Sequence, residues 1–129
     1  MYSNKSNSKN KKAIGNSGEQ IAAEYLANKG YAIIEKNWRF KHGEIDLIAE
    51  NNNTIIFVEV KTRSTSYFGN PEIAVTPKKQ KTIANTAQAY LDLNNLNKEC
   101  RFDIVSIVLV NEHVKELFHI EDAFFVTNF

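Results

Sequence analysis

Cysteine is nearly absent from this chain, which has one among its 129 residues, Cys100. A single thiol excludes an internal disulfide framework and suits the reducing cytoplasm. Long hydrophobic runs are also missing, since no stretch approaches the ~20 apolar residues that a membrane-spanning helix needs. The N-terminus is polar and lacks the apolar core of a secretory signal. We therefore expect a cytoplasmic protein with no membrane partner.

A strong charge of either sign is lacking as well. The formal net charge is +1, so bulk charge does not indicate a nucleic-acid-binding protein. Length and composition match one globular domain, because 129 residues that are 43% hydrophobic and 11% aromatic can bury a sizeable core. We expect residues 1–14 to form a disordered basic tail and residues 15–129 to form that single domain.

Hydrophobic periodicity predicts the order helix, three strands, helix, strand and a final strand. The first helix is expected to begin near Ser17, a good N-cap, and to end at Gly30. The second begins with Thr76 as N-cap and Pro77 in its first turn. The fold class is therefore α/β, with a mixed central sheet flanked by helices. The predicted strands lie near residues 31–38, 43–49, 55–61, 101–110 and 114–118.

The most informative stretch, residues 43–61, has the pattern of a β-hairpin. Its two halves alternate like strands on either side of an asparagine cluster, which is a turn signal. A tight loop at this cluster sets a register in which Asp46 lies opposite Glu59. In the same register, Glu44 lies opposite Lys61. Because side chains repeat with a period of two along a strand, all four project from one face.

The two facing carboxylates, Asp46 and Glu59, are unusual in a sheet because like charges opposite each other repel. With a third acid and an ammonium group beside them, they indicate a site for a divalent cation. Mg²⁺ takes oxygen ligands from carboxylates, phosphates and water. The alternative is a solvent-facing hairpin with scattered charges. The apolar run Ile55–Val58 argues against it, since charges at the end of a doubly buried strand need a partner.

Two other acids each have two interpretations. Glu19 lies in the first turn of the first helix and points toward the body of the protein. It either supports the site or simply interacts favourably with the helix dipole. Glu44 is either the ion-pair partner of Lys61 or a further acid at the metal site.

Three lysines near the start of the second helix predict contact with a polyanion. Lys78, Lys79 and Lys81 occupy the first turns, where the helix dipole disfavours cations. Phosphate bound by helix N–H groups and these lysines would explain their position. Lysines that merely extend into solvent are the alternative.

The polar loop after the third predicted strand, residues 62–71, should border the same site. It carries Arg63 and the aromatic pair Tyr67 and Phe68, which suit contact with phosphates and unstacked bases. The alternative is an ordinary loop whose rings pack on the core. Arg63 is therefore a candidate nucleic-acid-binding residue.

The acid followed by Glu-x-Lys resembles the PD-(D/E)xK nuclease motif. Asp46 stands for the Asp and Glu59-Val60-Lys61 for the (D/E)xK, while Ile45 replaces a proline that carries none of the metal chemistry. More closely, the chain resembles the bacterial YraN family, which is related in fold to archaeal Holliday-junction resolvases. The matching pieces are Gly18-Glu19, Gly30-Tyr31, Asn37-Trp38-Arg39, residues 43–48, residues 57–63 and Arg101-Phe102-Asp103.

This resemblance implies a restriction-endonuclease-like αβββαβ core and a metal-dependent endonuclease. The reaction would be hydrolysis of phosphodiester bonds in nucleic acid, with branched or single-stranded DNA as the expected substrate. Asp46, Glu59 and the Val60 carbonyl would hold Mg²⁺ or Mn²⁺, which lowers the pKa of the attacking water. Lys61 would orient that water or neutralise the phosphate, and Glu19 would anchor the outer shell of the metal.

By analogy with resolvases, Gln80 in the second helix would touch the water or the phosphate. Branch-specific cutting generally needs a symmetric homodimer, although no residue pattern identifies a dimer surface. The alternative function is a non-catalytic nucleic-acid-binding module that retains the nuclease fold. A third is an interaction subunit whose partner supplies the substrate.

Overall fold

The computed structural model describes residues 7–64 and 75–124, in which two helices and five strands follow one another in the predicted order. The strands form one mixed sheet in the order β1-β2-β3-β4-β5. Strands β3 and β4 are parallel, and the other neighbours are antiparallel. The predicted mixed α/β class is confirmed. The elements are α1 (Asn7–Asn28), β1 (Ala32–Phe40), β2 (Gly43–Asn51), β3 (Thr54–Arg63), α2 (Pro77–Leu93), β4 (Glu99–Val110) and β5 (His113–Ile120).

The two helices cover opposite faces of the sheet. Leu26 of α1 packs into one cluster with Val58, whereas Ile83 of α2 packs into the other with Phe57. The neighbours Phe57 and Val58 are both 1% exposed, which explains why β3 has a continuous apolar sequence. Burying each such side chain contributes roughly 1.5–3 kcal/mol. Among the described residues, neither helix is long and apolar enough to cross a membrane.

Helix α1 begins earlier than the sequence predicted. It starts at Asn7, ten residues before Ser17, and so includes part of the stretch expected to be disordered. A capping signal marks a place where a helix can begin, but it does not stop the helix from continuing upstream through Lys and Ala, which favour helix. The predicted end is confirmed: Gly30 has a φ of +96°, the left-handed conformation in which glycine terminates helices.

The β2–β3 hairpin has the predicted register. Asn51 pairs with Thr54, and the turn residues Asn52 and Asn53 have φ values of 52° and 61°. A two-residue type I′ turn requires positive φ at both positions, and asparagine reaches this region more easily than most residues. The asparagine cluster therefore fixes which residues of β2 and β3 lie opposite each other.

Candidate functional site

The site forms where β2 separates from β3. Their backbone ladder ends at the pair Leu47–Val58, so Asp46 and Glu59, predicted as the next pair, do not continue it. Asp46 uses its side chain instead: its Oδ2 accepts a hydrogen bond from the Val60 amide at 2.8 Å. The carboxylate thus stands in for a backbone acceptor and is held against β3.

Glu44 does not face Lys61, and that predicted pairing is wrong. Glu44 pairs with Arg39 of β1, and its carboxylate lies 3.3 Å from Arg39 Nε. The cause is again the early end of the ladder, because beyond Leu47 the strand β2 follows β1 and no longer β3. Lys61 contacts Glu59 instead, at 3.5 Å. Of its two interpretations, Glu44 therefore fits the further acid beside Asp46.

Glu44, Asp46 and Glu59, here called the acidic corner, line a pocket of about 380 Å³. Burial, and after it the negative charge of Glu59, raise the pKa of Asp46 from its ordinary value of 3.8 to about 7. The hydrogen bond from Val60 opposes this rise, whereas the charges of Glu19 and Glu44 add to it. A carboxylate in such surroundings is stabilised by a nearby cation.

Glu19 lies close enough to the acidic corner for its charge to act on Asp46, in line with its predicted inward direction. It is half-buried. The preceding residue, Gly18, sets the approach of α1: a Cβ there would lie 2.0 Å from Thr62 Oγ1. Only glycine permits this contact, so the sequence of α1 places an acid beside the end of β3.

Two lysines neutralise Glu59, which is 7% exposed. The ammonium groups of Lys61 and Lys79 lie 3.5 and 3.0 Å from the same oxygen, Oε2. Helix α2 positions Lys79, because Thr76 Oγ1 accepts its backbone N–H at 3.2 Å. Pro77 occupies the first turn, as predicted. The N-terminal turn of α2 thus directs a cation into the acidic corner.

The charge of Lys79 responds to the whole acidic corner. Burial alone would lower the pKa of Lys79. The hydrogen bond and charge of Glu59, followed by the charges of Asp46 and Glu44, outweigh burial and raise that pKa. Lys79 is therefore a permanent cation at neutral pH, and the helix dipole that disfavours it is offset by the carboxylates it faces.

The other residues predicted to contact nucleic acid do not all lie at the acidic corner. Lys78 lines the pocket, whereas Lys81 is exposed and is not one of the residues that line it. Gln80 turns back, and its Nε2 donates to a backbone carbonyl just before α2 at 2.9 Å. Arg63 is directed toward β4, where its Nη2 donates to Ser106 Oγ at 3.5 Å. The structure therefore brings Lys78 and Lys79 to the acidic corner but not Gln80.

The pocket also includes residues that the sequence did not indicate. His42 belongs to the β1–β2 turn and is exposed; a lone histidine in a loop is a weak signal, although its place in the basic connection before Glu44 is compatible with a ligand or a proton shuttle. The aromatic pair Tyr67 and Phe68, predicted to contact bases or the core, lies outside the described residues. The unpredicted lining residues are His42, Thr76, Thr82 and Ile83.

The donor set of the acidic corner can be compared with the needs of a metal ion. Across residues 7–64 and 75–124, no group of three or more Asp, Glu, His or Cys side chains could hold a metal. Asp46 and Glu59 provide two carboxylates, which is the number Mg²⁺ commonly takes when phosphate and water complete its shell. The pKa of Asp46 is raised by burial and by the charge of Glu59, and a bound cation would oppose that rise. These residues fit a hard divalent cation bound together with its substrate, not a closed cage of protein ligands.

Known proteins resemble this chain over nearly its whole length. A UPF0102 protein of Alkaliphilus oremlandii is 49% identical over 116 residues, which cover 88% of this chain and 98% of the relative. One of Caldanaerobacter subterraneus subsp. tengcongensis is 48% identical over 118 residues, covering 89% and 97%. One of Chlorobium chlorochromatii is 45% identical over 118 residues, covering 88% and 92%.

The family comparison gives the same assignment. The model described as "Uncharacterised protein family UPF0102" matches residues 18–107. This span includes Glu19, the acidic corner and all of α2. The resemblance to the YraN family predicted this membership. The chain belongs to the UPF0102 family.

Proposed function

We propose that this protein is a metal-dependent endonuclease that hydrolyses phosphodiester bonds, with branched or single-stranded DNA as its substrate. The observation that carries the proposal is the state of Asp46, a half-buried carboxylate held by the Val60 amide beside Glu59, with its pKa raised to about 7. A divalent cation bound at these two carboxylates would offset the repulsion between the negative charges of Asp46 and Glu59. A restriction-endonuclease-like core is part of the same proposal, supported by the order of α1, β1–β3, α2 and β4.

Several residues of the chain would each have a separate role in the reaction. Asp46, Glu59 and the Val60 carbonyl would hold Mg²⁺ or Mn²⁺, an ion that neutralises phosphate charge and lowers the pKa of bound water. Lys61 and Lys79 both contact Glu59 Oε2. When substrate binds, one or both ammonium groups would leave Glu59 and bind phosphate oxygens instead. Glu19 would accept hydrogen bonds from water molecules in the outer shell of the metal.

The test is cleavage by purified protein with Mn²⁺ across single-stranded, flapped, four-way and duplex DNA and the matching RNAs. Asp46→Asn and Glu59→Gln keep side-chain volume and remove charge. We expect each to lower the rate by about 10²–10³-fold, the usual loss when a charge-stabilising group is removed. Glu24→Gln makes the same chemical change on the exposed side of α1 and should leave the rate unaltered. Equal cleavage by wild type and both variants would indicate a contaminant and refute the proposal.

A nucleic-acid-binding module that does not cut is the second candidate. It is favoured by Glu59, whose Oε2 is already contacted by two lysines, and by the lack of a three-ligand metal group within the described ranges. Gel shifts that survive Asp46→Asn and Glu59→Gln, with no metal-dependent cleavage of any substrate, would select this candidate over the nuclease.

A further inference from the structure

A second pocket, also of about 380 Å³, lies between the β1–β2 turn and the middle of α2. It shares His42 and Thr82 with the pocket at the acidic corner, so the two lie side by side. Along α2 the combined groove runs from Thr76 to Thr86. Ten residues of helix measure ~15 Å, and a stacked strand advances ~3.4 Å per nucleotide. The groove can therefore take about four nucleotides.

An aromatic ring forms one wall of this second pocket. Phe40 is half-buried and stacks on Trp38 with an interplanar angle of 2° and a centroid distance of 6.1 Å. Trp38 is itself fixed by an edge contact with Tyr90 at 5.1 Å. Phe40 thus lines the pocket while Trp38 holds its ring in a fixed orientation from the core side.

The polar residues around Phe40 complement a nucleotide. Lys41 Nζ lies over the Phe40 ring, 5.4 Å from its centroid, so a base that stacks on this ring would displace the ammonium group toward the phosphate of the same nucleotide. Asn85 on the opposite wall is exposed and offers a donor and an acceptor to the edge of a base. Aromatic rings with adjacent basic side chains are the usual binding surface for unpaired bases and their phosphates.

The pocket is also fixed in shape. Gly43 packs directly on α2, since a Cβ there would lie 1.8 Å from Thr86 Oγ1. Lys41 has a φ of 54°, as residues of tight hairpin turns commonly do, and the pairing of Phe40 with Gly43 closes this turn. The turn and the helix therefore form a preorganised pocket.

We propose that this second pocket binds an unpaired base of the strand whose phosphate lies at the acidic corner. The inference rests on the proposed function and specifies its substrate: nucleic acid with a single-stranded segment beside the scissile bond. A base within a continuous duplex is paired and stacked and cannot enter a pocket walled by Phe40 and Asn85.

The experiment measures binding and not cleavage, once with Ca²⁺, a hard cation that can occupy the acidic corner, and once in EDTA. A single-stranded DNA oligonucleotide carrying 2-aminopurine at successive positions is titrated with wild type, Phe40→Leu and Phe40→Tyr. We expect quenching at one position with wild type and with Phe40→Tyr, which keeps the ring. Phe40→Leu should lose this quenching and bind about tenfold more weakly, within the range for loss of one base–aromatic stack. Affinity for the duplex of the same sequence should not change.

Phe118→Leu is the matched control, because Phe118 is an exposed ring on β5, 54% accessible and outside the groove. Equal affinity of wild type and Phe40→Leu, or no binding of single-stranded DNA by wild type, would overturn the inference. Mn²⁺-dependent cleavage without Phe40-dependent binding refutes only the base pocket. Phe40-dependent binding without cleavage refutes only the nuclease.

Discussion

Asp46 and Asp103 are carboxylates withdrawn from solvent on one sheet, but their surroundings differ. Asp103 in β4 is fully buried and is surrounded by donors. Arg101 donates to it through Nε and Nη2, both at 2.8 Å, His119 Nε2 lies 2.7 Å away and the Asp122 amide 3.0 Å away. Asp46 accepts the amide of a neighbouring strand, and the charges of Glu59, Glu19 and Glu44 act on it.

The difference appears directly in the two pKa values. Burial would raise the pKa of Asp103, but the hydrogen bonds from His119 and Arg101 and from the Asp122 amide lower it below its ordinary value. Burial and Glu59 instead raise the pKa of Asp46 to about 7. Burial acts in the same direction on both, so the neighbours decide the outcome. An acid whose charge is satisfied stabilises the fold, whereas one left short of positive charge indicates a binding site.

The network around Asp103 ties three parts of the chain together. Lys29 at the end of α1 lies 2.8 Å from His119 Nδ1. An ammonium group can only donate, so Nδ1 accepts and the proton of the neutral ring sits on Nε2, directed at Asp103. The side chain of His119 is 2% exposed. Its role is therefore to hold β5 and α1 on β4.

The largest predicted effect is the loss of stability when Asp103, whose charge is satisfied by its donors, is removed. Asp103→Ala leaves Arg101 and His119 facing an empty position, and breaking a buried charged pair costs ~3–5 kcal/mol. Urea unfolding at neutral pH measures the loss. Asp92→Ala, an exposed residue of α2 that accepts a hydrogen bond from Gln88, should cost less than ~0.5 kcal/mol. Similar losses for the two variants would show that the network does not contribute as inferred.

Neutralising Asp46 should instead increase the free energy of unfolding. The folded pKa of Asp46, about 7, lies above the ordinary 3.8, so the folded state binds the proton more tightly and stability falls as pH rises from about 4 to about 7. The full loss above pH 7 is at most roughly 4 kcal/mol. Asp46→Asn removes this loss and keeps an oxygen for the Val60 amide. We expect it to be more stable than wild type at pH 8.

The pH dependence of the difference provides the check. Urea unfolding of wild type and Asp46→Asn in EDTA should give free energies that converge below the ordinary pKa of 3.8, where the carboxyl becomes protonated in both states. The advantage of Asp46→Asn should grow up to about pH 7 and then level off. An advantage that is constant with pH would mean that the charge of Asp46 is not its cause.

A divalent cation should stabilise wild type through the acidic corner. Mn²⁺ at 100 times its dissociation constant would add ~2.7 kcal/mol to the free energy of unfolding, which thermal unfolding detects as a rise in Tm. Asp46→Asn should lose this response. Glu24→Gln, the surface control, should keep it. A Tm increase of equal size in Asp46→Asn would place the ion elsewhere.

Local signals in the sequence were enough for much of the fold and part of the site. The asparagine turn fixed the hairpin register, and Thr76 with Pro77 fixed the start of α2. These features depend on neighbouring residues, which a sequence displays directly. The same register brought Asp46 and Glu59 near each other, as predicted, although their ladder stops one pair earlier.

The remaining features depend on contacts between distant residues. The contact of Gly43 with Thr86 lies at the part of β2 that follows β1, and no local pattern predicts where the β2–β3 ladder ends. Lys29 and His119 are 90 residues apart, so the sequence around His119 does not indicate its partners. Tertiary packing determines both the end of the β2–β3 ladder and the contact of Lys29 with His119, and the residues next to them in the sequence do not specify that packing.

A small predicted effect, on Glu121, separates burial from charge within one network. Glu121 also faces Arg101, with its Oε1 3.7 Å from Nη1, but its side chain is 52% exposed. Water already solvates such a carboxylate, so Glu121→Gln should cost less than ~1 kcal/mol and still less at high salt. Urea unfolding at low and high salt, beside Asp103→Ala, tests this. Equal losses at Glu121 and Asp103 would mean that charge next to Arg101 matters and burial does not, and the contrast drawn between Asp46 and Asp103 would then lose its physical basis.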